Sequence, residues 1–167
     1  MAGFYYLSMK KLLLIRHAKA VHDVSYKDFE RPLKNSGIQD AILMSERLNS
    51  ESISPQFLVT SPSIRTQATA DIIAEHLELP KPKENAKIYD ASQKALLTII
   101  NELPEDYNFI GLVGHNPGIN QLVDYYTGDS REVSPGAIAL ITFEIDKWEK
   151  VSHDSGKLAW FSSPKDH

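Results

Sequence analysis

The sequence contains no cysteine, which excludes a disulfide framework, a thiol nucleophile and a cysteine metal site. Acidic residues outnumber basic ones only slightly, and the formal net charge is −4 at pH 7. This balance argues against broad electrostatic binding to nucleic acid. No apolar run approaches the roughly 20 residues that a membrane-spanning helix needs. We therefore expect a cytoplasmic protein that binds neither nucleic acid nor a membrane.

Length and composition favour one globular domain. Of the 167 residues, 42% are hydrophobic and 24% are charged, which is ordinary for a globular chain of this size. No internal repeat, low-complexity tract or Gly/Ser linker divides the sequence. Met9, followed by two lysines, is a second potential start. We expect residues 1–8 to be an N-terminal extension and residues 9–167 to form a single domain.

Short apolar runs alternate with helical patterns along the chain. Strands are predicted at residues 12–15, 57–60, 109–113, 137–145 and 158–161, with a weak third strand ending at Ile88-Tyr89. Helix N-caps are predicted at Asn35 or Ser36, at Ser61 with Pro62 as the first helical residue, and at Ser92. A fourth helix is predicted to start at Asn116-Pro117 and to end at Gly128. This alternation is typical of βαβ units. It predicts an α/β fold, a three-layer α/β/α sandwich on a mainly parallel sheet of about six strands, with an antiparallel hairpin at one edge.

Guanidinium and imidazole side chains follow three of the predicted strands. Arg16 and His17 follow the first, Arg65 begins the helix after the second, and His115 and Asn116 follow the fourth. Because the carboxyl ends of parallel strands meet at one edge of the sheet, we expect these side chains to gather there. None of the three turns brings a carboxylate. Arginine matches phosphate oxygens, and a neutral imidazole is a competent nucleophile, so this set predicts a phosphate pocket.

Four motifs in this order resemble those of the histidine phosphatase superfamily, which also contains phosphoglycerate mutases. They are Leu14-Ile15-Arg16-His17-Ala18, Arg31-Pro32-Leu33 followed by Gly37, Ser61-Pro62 followed by Arg65 and Gln67-Ala68-Thr69, and Gly114-His115-Asn116-Pro117. The short length is similar to that of SixA-type phosphohistidine phosphatases. The resemblance implies a phosphoglycerate mutase-like fold and a phosphatase that needs no metal or cofactor. It also implies that His17 is the nucleophile and that Arg16, Arg65 and His115 complete the phosphate pocket.

The sequence departs from the family pattern beside the nucleophile candidate. Ala18 stands where glycine is usual, and Lys19 stands where an acidic residue is frequent. Lys19, Arg31 and Asn116 are candidate substrate-binding residues. For Arg31 the alternative is a salt bridge with Asp28 or Glu30.

Asp90 is the candidate general acid, because many superfamily members use a mid-chain carboxyl group to protonate the leaving group. The alternative is that Asp90, with Ser92, caps the next helix. A phosphohistidine substrate makes a strong acid less necessary, since imidazole takes up a proton near pH ~6.5 and leaves as a neutral base.

The connection from Leu79 to Tyr89 is too short to form a cap over the site, and an open site would admit a side chain on another protein. The alternative is that the loop from Ala18 to Asn35 folds over the site. The expected substrate is therefore a phosphohistidine of a protein, and the pocket should retain phosphate or sulfate. The first alternative is a small phosphate ester or sugar phosphate. An alternative of another class is a non-catalytic module that binds phosphate or a phosphoprotein. A metallohydrolase is disfavoured, because the sequence lacks the clustered histidine and carboxylate ligands that a catalytic metal site needs.

Overall fold

A computed structural model describes residues 9–166, which fold around one six-stranded sheet. The strands are β1 (Lys10–Arg16), β2 (Phe57–Thr60), β3 (Lys83–Glu84), β4 (Phe109–Gly114), β5 (Ile138–Phe143) and β6 (Gly156–Ser162). The α-helices are α1 (Asn35–Ser50), α2 (Ile64–His76), α3 (Gln93–Asn101) and α4 (Gly118–Thr127). The predicted extension at residues 1–8 lies outside the described residues.

The strand order across the sheet is β3-β2-β4-β1-β5-β6. The first four strands along the chain run parallel to one another. Strand β5 pairs antiparallel with β1, and β6 pairs antiparallel with β5. This arrangement confirms the predicted mainly parallel sheet with an antiparallel hairpin at one edge.

The side chains of β1 show why helices cover both faces of the sheet. Leu12 and Leu14 belong to one apolar cluster with residues of α3 and α4, whereas Leu13 and Ile15 belong to another with residues of α1 and α2. All four are fully buried. A strand covered on both faces has an uninterrupted apolar sequence, and this run places the end of β1 in the middle of the molecule.

Three predicted element boundaries are wrong. The third strand does not end at Ile88-Tyr89, because Ile88 instead closes a 3-10 helix and is buried there. Helix α2 is capped by Ser63, whose hydroxyl accepts a hydrogen bond from the Thr66 N–H. Helix α1 has Lys34 as its N-cap, without a side-chain hydrogen bond. In each case the predicted residues are of a type that suits an element boundary, but the boundary in the folded chain lies at a neighbouring residue.

Gly37 explains why one of the family-like motifs contains a glycine. It is buried in the first turn of α1, and a Cβ atom at this position would lie 2.2 Å from the backbone carbonyl oxygen of Lys19. That separation is far below van der Waals contact, and the obstacle is backbone. Close approach between α1 and the chain after β1 therefore requires glycine at residue 37.

We expect Gly37→Ala to destabilise the protein by about 1–3 kcal/mol, because overpacking against backbone outweighs the higher helix propensity of alanine. Urea denaturation measures the free energy of unfolding. Ser36→Ala is the matched control: Ser36 is exposed in the same helical turn and caps nothing. Equal stability of Gly37→Ala and wild type would contradict the close approach.

Candidate active site

A cleft of about 480 Å³ lies where the carboxyl ends of β1, β2 and β4 meet. It is lined by all eight residues that the sequence predicted for the site: Arg16, His17, Lys19, Arg31, Arg65, Asp90, His115 and Asn116. Asp28, Lys34 and Tyr89 line it as well. The parallel sheet thus brings the three predicted turns together.

Sheet-like hydrogen bonds continue through the first two residues of the site. The Arg16 N–H donates to the Ala137 carbonyl at 3.1 Å, and the His17 N–H donates to the Gly114 carbonyl at 3.1 Å. On the other side, the Gly136 N–H donates to the carbonyls of Arg16 and His17 at 3.2 and 3.0 Å. The backbone of both residues is therefore fixed by chain segments on its two sides.

Thr69 connects the turn after His17 to helix α2. Its hydroxyl accepts a hydrogen bond from the Ala18 N–H at 3.1 Å and donates one to the Arg65 carbonyl at 2.8 Å. Ala18 is fully buried and packs with residues of α1 and α2. The methyl group that replaces the usual glycine is thus part of the core.

His17 has one ring nitrogen bound and the other available. Its Nδ1 lies 2.8 Å from the Ala18 carbonyl oxygen. Because a carbonyl only accepts, Nδ1 carries the proton and the neutral ring has its lone pair on Nε2. Burial lowers the pKa of His17 to about 3, against the favourable hydrogen bond to Ala18. The imidazole is therefore neutral, as a nucleophile must be, over the physiological pH range.

His115 has the opposite tautomer. The Arg65 guanidinium donates to its Nδ1 at 3.3 Å, so the proton is on Nε2, which donates to the Ser61 hydroxyl at 2.9 Å. The centroids of the His17 and His115 rings are 5.5 Å apart. Burial, followed by the nearby Arg65 charge, lowers the pKa of His115 to about 4.

Asp28 brings a carboxylate to Arg65 in the cleft, although none of the three strand-end turns supplies one. Asp28, in a 3-10 helix between β1 and α1, accepts a hydrogen bond from Arg65 at 3.0 Å through its side chain, and its backbone carbonyl accepts another from Arg65 at 2.6 Å. The Asp28 carboxylate also accepts from Tyr89 at 2.6 Å and from Arg31 at 3.0 Å. These donors, with Tyr89 first, hold the pKa of Asp28 well below its usual range. The turns directly after the strands carry no carboxylate, but the longer loop does.

Arg16 and Asn116 share an acceptor in the loop before β5. Both side chains donate to the Val133 carbonyl, at 3.0 Å and 2.9 Å. The Asn116 oxygen also accepts from the Asn120 N–H at 3.1 Å. Asn116 therefore holds this loop beside Arg16 as well as lining the cleft.

The two other substrate-binding candidates have ionic partners. The ammonium group of Lys19 lies 3.2 Å from the Asp40 carboxylate. Arg31 forms the predicted alternative salt bridge with Asp28, and it also donates to the Val21 carbonyl at 2.8 Å and bonds His22 at 3.0 Å. Arg31 thus fixes the loop that delivers Asp28.

Asp90 does not cap helix α3, because the Ser92 hydroxyl alone accepts the first-turn hydrogen bond, from the Ala95 N–H at 3.1 Å. Asp90 is exposed, lines the cleft and has a left-handed backbone with φ of 53°. Tyr89, which sequence analysis did not place in the site, packs edge-on against the His115 ring at 5.6 Å. Its position directly before Asp90 was the available signal.

Within residues 9–166, no three His, Asp or Glu side chains come together as a metal centre would require. None of the helices in the same residues combines the length and the apolar character needed to cross a membrane.

Comparison with known families supports the resemblance that these motifs suggest. A family model described as histidine phosphatase superfamily (branch 1) matches residues 12–89, just under half of the chain. This segment is therefore similar to the histidine phosphatase superfamily. It is also 26% identical over 162 residues to an uncharacterized chloroplastic protein of Arabidopsis thaliana, covering 90% of this chain and 74% of that protein.

Several solved structures share the fold. The protein histidine phosphatase SixA complexed with tungstate has a TM-score of 0.80 at 22% identity, covering 92% of this chain and 97% of that one. SixA from Agrobacterium tumefaciens has a TM-score of 0.80 at 19% identity, covering 93% and 98%. A mycobacterial glucosyl-3-phosphoglycerate phosphatase with inorganic phosphate has a TM-score of 0.67 at 13% identity, covering 95% and 100%. These likenesses confirm the predicted phosphoglycerate mutase-like fold.

The two lowered histidine pKa values predict a pH-dependent stability. The unfolded chain takes up protons near pH ~6.5, whereas His17 and His115 stay neutral in the folded protein down to about 3 and 4. The contribution of the two neutral histidines to the free energy of unfolding is therefore fully present above pH ~6.5, and it is lost as the pH falls from there towards their pKa values in the folded protein. Between pH 7.5 and 5.0 we expect each histidine to account for about 1–2 kcal/mol of lost unfolding free energy.

Urea denaturation at both pH values, in low-phosphate buffer, measures this slope. The double variant His17→Asn/His115→Asn should flatten it, and the control His76→Gln, at an exposed residue of α2, should not. If the unfolding free energy of the double variant depended on pH as steeply as that of wild type, the two histidines would not be the source of the pH dependence.

Proposed function

We propose that the chain is a metal-independent phosphatase that works through a phosphorylated His17, and that its substrate is a phosphohistidine of another protein. The similarity to the superfamily supports the phosphatase reaction in general. The finer assignment of nucleophile, pocket and substrate is our inference from the cleft.

The observation that carries the proposal is a set of unused nitrogen atoms around one cleft. The Nε atoms of Arg16 and Arg65 are buried and have no hydrogen-bond partner among the described residues. Buried donors are nearly always paired, so an unpaired one calls for a missing acceptor. A bound phosphoryl group would supply oxygen atoms to both guanidinium groups, beside the free Nε2 of His17.

The reaction then proceeds in two steps. The Nε2 lone pair of His17 attacks phosphorus, a new P–N bond forms, and the bond from phosphorus to the leaving nitrogen or oxygen breaks. The leaving group takes the electron pair of that bond: an imidazole that already carries a proton on its other nitrogen leaves as a neutral base, whereas an alkoxide would take a proton from water or from a general acid such as Asp90. Water then attacks the phosphoryl group on His17, releasing inorganic phosphate and restoring the neutral imidazole. Arg16 and Arg65 would stabilise the charge on the transferring phosphoryl oxygens in both steps.

The Ser61 hydroxyl and Arg65 hold the His115 ring, so its role would be to complete the phosphate pocket. Asp28 would be a positioning residue for Arg65, since it binds the guanidinium through both its carboxylate and its backbone. Asn116 would act in the same way for Arg16, through the shared Val133 carbonyl.

The form of the cleft supports a phosphohistidine over a small ester. Among residues 9–166 no separate domain covers it: the chain between β2 and α3 adds only α2, the two-residue strand β3 and a 3-10 turn, and the loop between β1 and α1 borders the cleft through Asp28. A side chain on another protein could therefore enter. The structural likeness to SixA, a protein histidine phosphatase by name, points the same way. Cytoplasmic location stays a prediction.

Small phosphate esters are the second candidate, favoured by the structural likeness to a glucosyl-3-phosphoglycerate phosphatase and by Asp90 in the cleft. A non-catalytic phosphate-binding module is disfavoured, because His17 retains a free Nε2 beside both arginines.

We expect wild-type protein to release phosphate from a phosphohistidine protein and, more slowly, from p-nitrophenyl phosphate, with both rates unchanged by EDTA. His17→Ala should abolish both activities, because the other imidazole of the cleft, His115, has both ring nitrogens hydrogen-bonded, to Arg65 and to Ser61. Phosphate release, with and without EDTA, is the measurement. The control is His153→Ala, which changes an exposed histidine outside the cleft. Equal activity of His17→Ala and wild type would contradict the mechanism, and binding without turnover in wild type would favour the module.

Asp90→Asn should separate the two kinds of substrate. If Asp90 protonates an alkoxide, the variant should lose about 10²-fold or more on alkyl phosphate esters and little on phosphohistidine, whose imidazole leaves as a neutral base. The kcat on both substrates is the measurement. Unchanged kcat on both would remove Asp90 as the general acid.

A further inference from the structure

We propose that Asp28 and Asp90 form an acidic wall that selects phosphoryl donors whose leaving group is neutral or cationic and disfavours anionic ones. The inference rests on the proposed function, since it concerns the leaving-group side of the same cleft. It assigns to Asp28 a role in specificity that its place in the loop did not suggest.

The wall is built around Tyr89. On one side the Tyr89 hydroxyl donates to Asp28 at 2.6 Å, and Asp90 follows directly in the chain. The Tyr89 ring packs against His115, whose ring lies 5.5 Å from that of His17. Asp28 and Asp90 both line the same cleft as the two imidazoles that would face the reacting phosphoryl group.

The acidic wall is distinct from the buried part of the cleft, where Arg65 would bind the phosphoryl group. Arg65 has only 7% of its side chain exposed and lines the cleft with a buried, unpartnered Nε. Asp28, which binds the same guanidinium, is 54% exposed. If the phosphoryl group binds the buried Arg65, its leaving group would therefore lie towards the solvent, beside the more exposed carboxylate of Asp28.

The charge of Asp28 persists in the presence of substrate. Three donors on three separate chain segments, Arg31, Arg65 and Tyr89, stabilise the ionised form. Asp28 is paired with Arg31 and Arg65, so it contributes mainly as a hydrogen-bond acceptor for an N–H of the leaving group. Asp90 has no partner among the described ion pairs, and its charge would repel a carboxylate or second phosphate on the leaving group. The imidazole of phosphohistidine, and the leaving amine or guanidine of other phosphoramidates, satisfy this requirement. A glycerate or a bisphosphate does not.

The cations of the cleft bear on the same choice. Arg31 is bound to Asp28, and Lys19 is bound to Asp40. Lys34 also lines the cleft, and the described ion pairs give it no acidic partner. Lys34 would therefore attract an anionic leaving group, and it opposes the effect of the acidic wall.

Equilibrium binding of non-hydrolysable ligands tests the wall without relying on turnover. The ligands are phenylphosphonate and its para-carboxylate and para-aminomethyl derivatives, measured by calorimetry. We expect wild type to bind in the order aminomethyl, unsubstituted, carboxylate, with successive steps of about twofold to fivefold at partly exposed charges. Asp28→Asn and Asp90→Asn should each reduce this spread, and 1 M salt should reduce it in wild type.

The matched control is Asp146→Asn, which removes the same charge just beyond β5, at the opposite end of the sheet from the cleft, and should leave the spread unchanged. A loss of affinity that is equal for all three ligands would show a merely structural effect and overturn the inference. Tighter binding of the carboxylate ligand by wild type would also overturn it and would point to Lys34.

The outcome is separate from that of the proposed function. Charge discrimination that both variants weaken, without phosphate release by wild type, would support the wall and contradict the phosphatase. Phosphate release that requires His17, with equal affinity for all three ligands, would contradict the wall and leave the phosphatase standing. Failure to bind any phosphonate would contradict both.

Discussion

The site depends on the continuation of sheet hydrogen bonding beyond the end of β1. Arg16 and His17 are bonded through their backbones to Gly114 on one side and to residues 136 and 137 on the other. Strand β1 is itself buried on both faces, so the packing that stabilises the fold also fixes the two residues at its end. Because the backbone of Arg16 and His17 is fixed, comparatively few further hydrogen bonds are needed to orient the side chains around the cleft.

Charge balance is the second constraint. Two arginines and two histidines converge on a cleft of about 480 Å³, and gathering cations without compensation is unfavourable. The protein meets this constraint in two ways. Burial keeps both imidazoles neutral, and Asp28 neutralises Arg65 from the side of the longer loop. The pocket can thus exist without a bound anion while retaining guanidinium donors for one.

Local patterns predicted the sheet, its edge hairpin and the cleft residues that follow its parallel strands, whereas Arg31 and Asp90 were named from the family resemblance. Apolar runs mark strands covered on both faces, and the residues after parallel strands must share one edge. Asp28 was different. It lies mid-loop, and only the path of that loop brings it back to Arg65, so no spacing rule could place it in the pocket. The Gly37 contact and the true cap at Ser63 depend likewise on packing between distant segments.

The Thr69 hydroxyl has a consequence for how the cleft responds to motion. It joins the turn after His17 to the backbone of Arg65 within α2, so the nucleophile candidate and one phosphate-binding arginine are mechanically coupled. The loop that carries Asp28 has no such backbone link to α2 beyond a single carbonyl accepting from Arg65. Displacement of that loop would therefore change the width of the entrance and release the Arg65 guanidinium from Asp28. The backbone of Arg65 would keep its position relative to the turn after His17, because the Thr69 hydroxyl bonds to both.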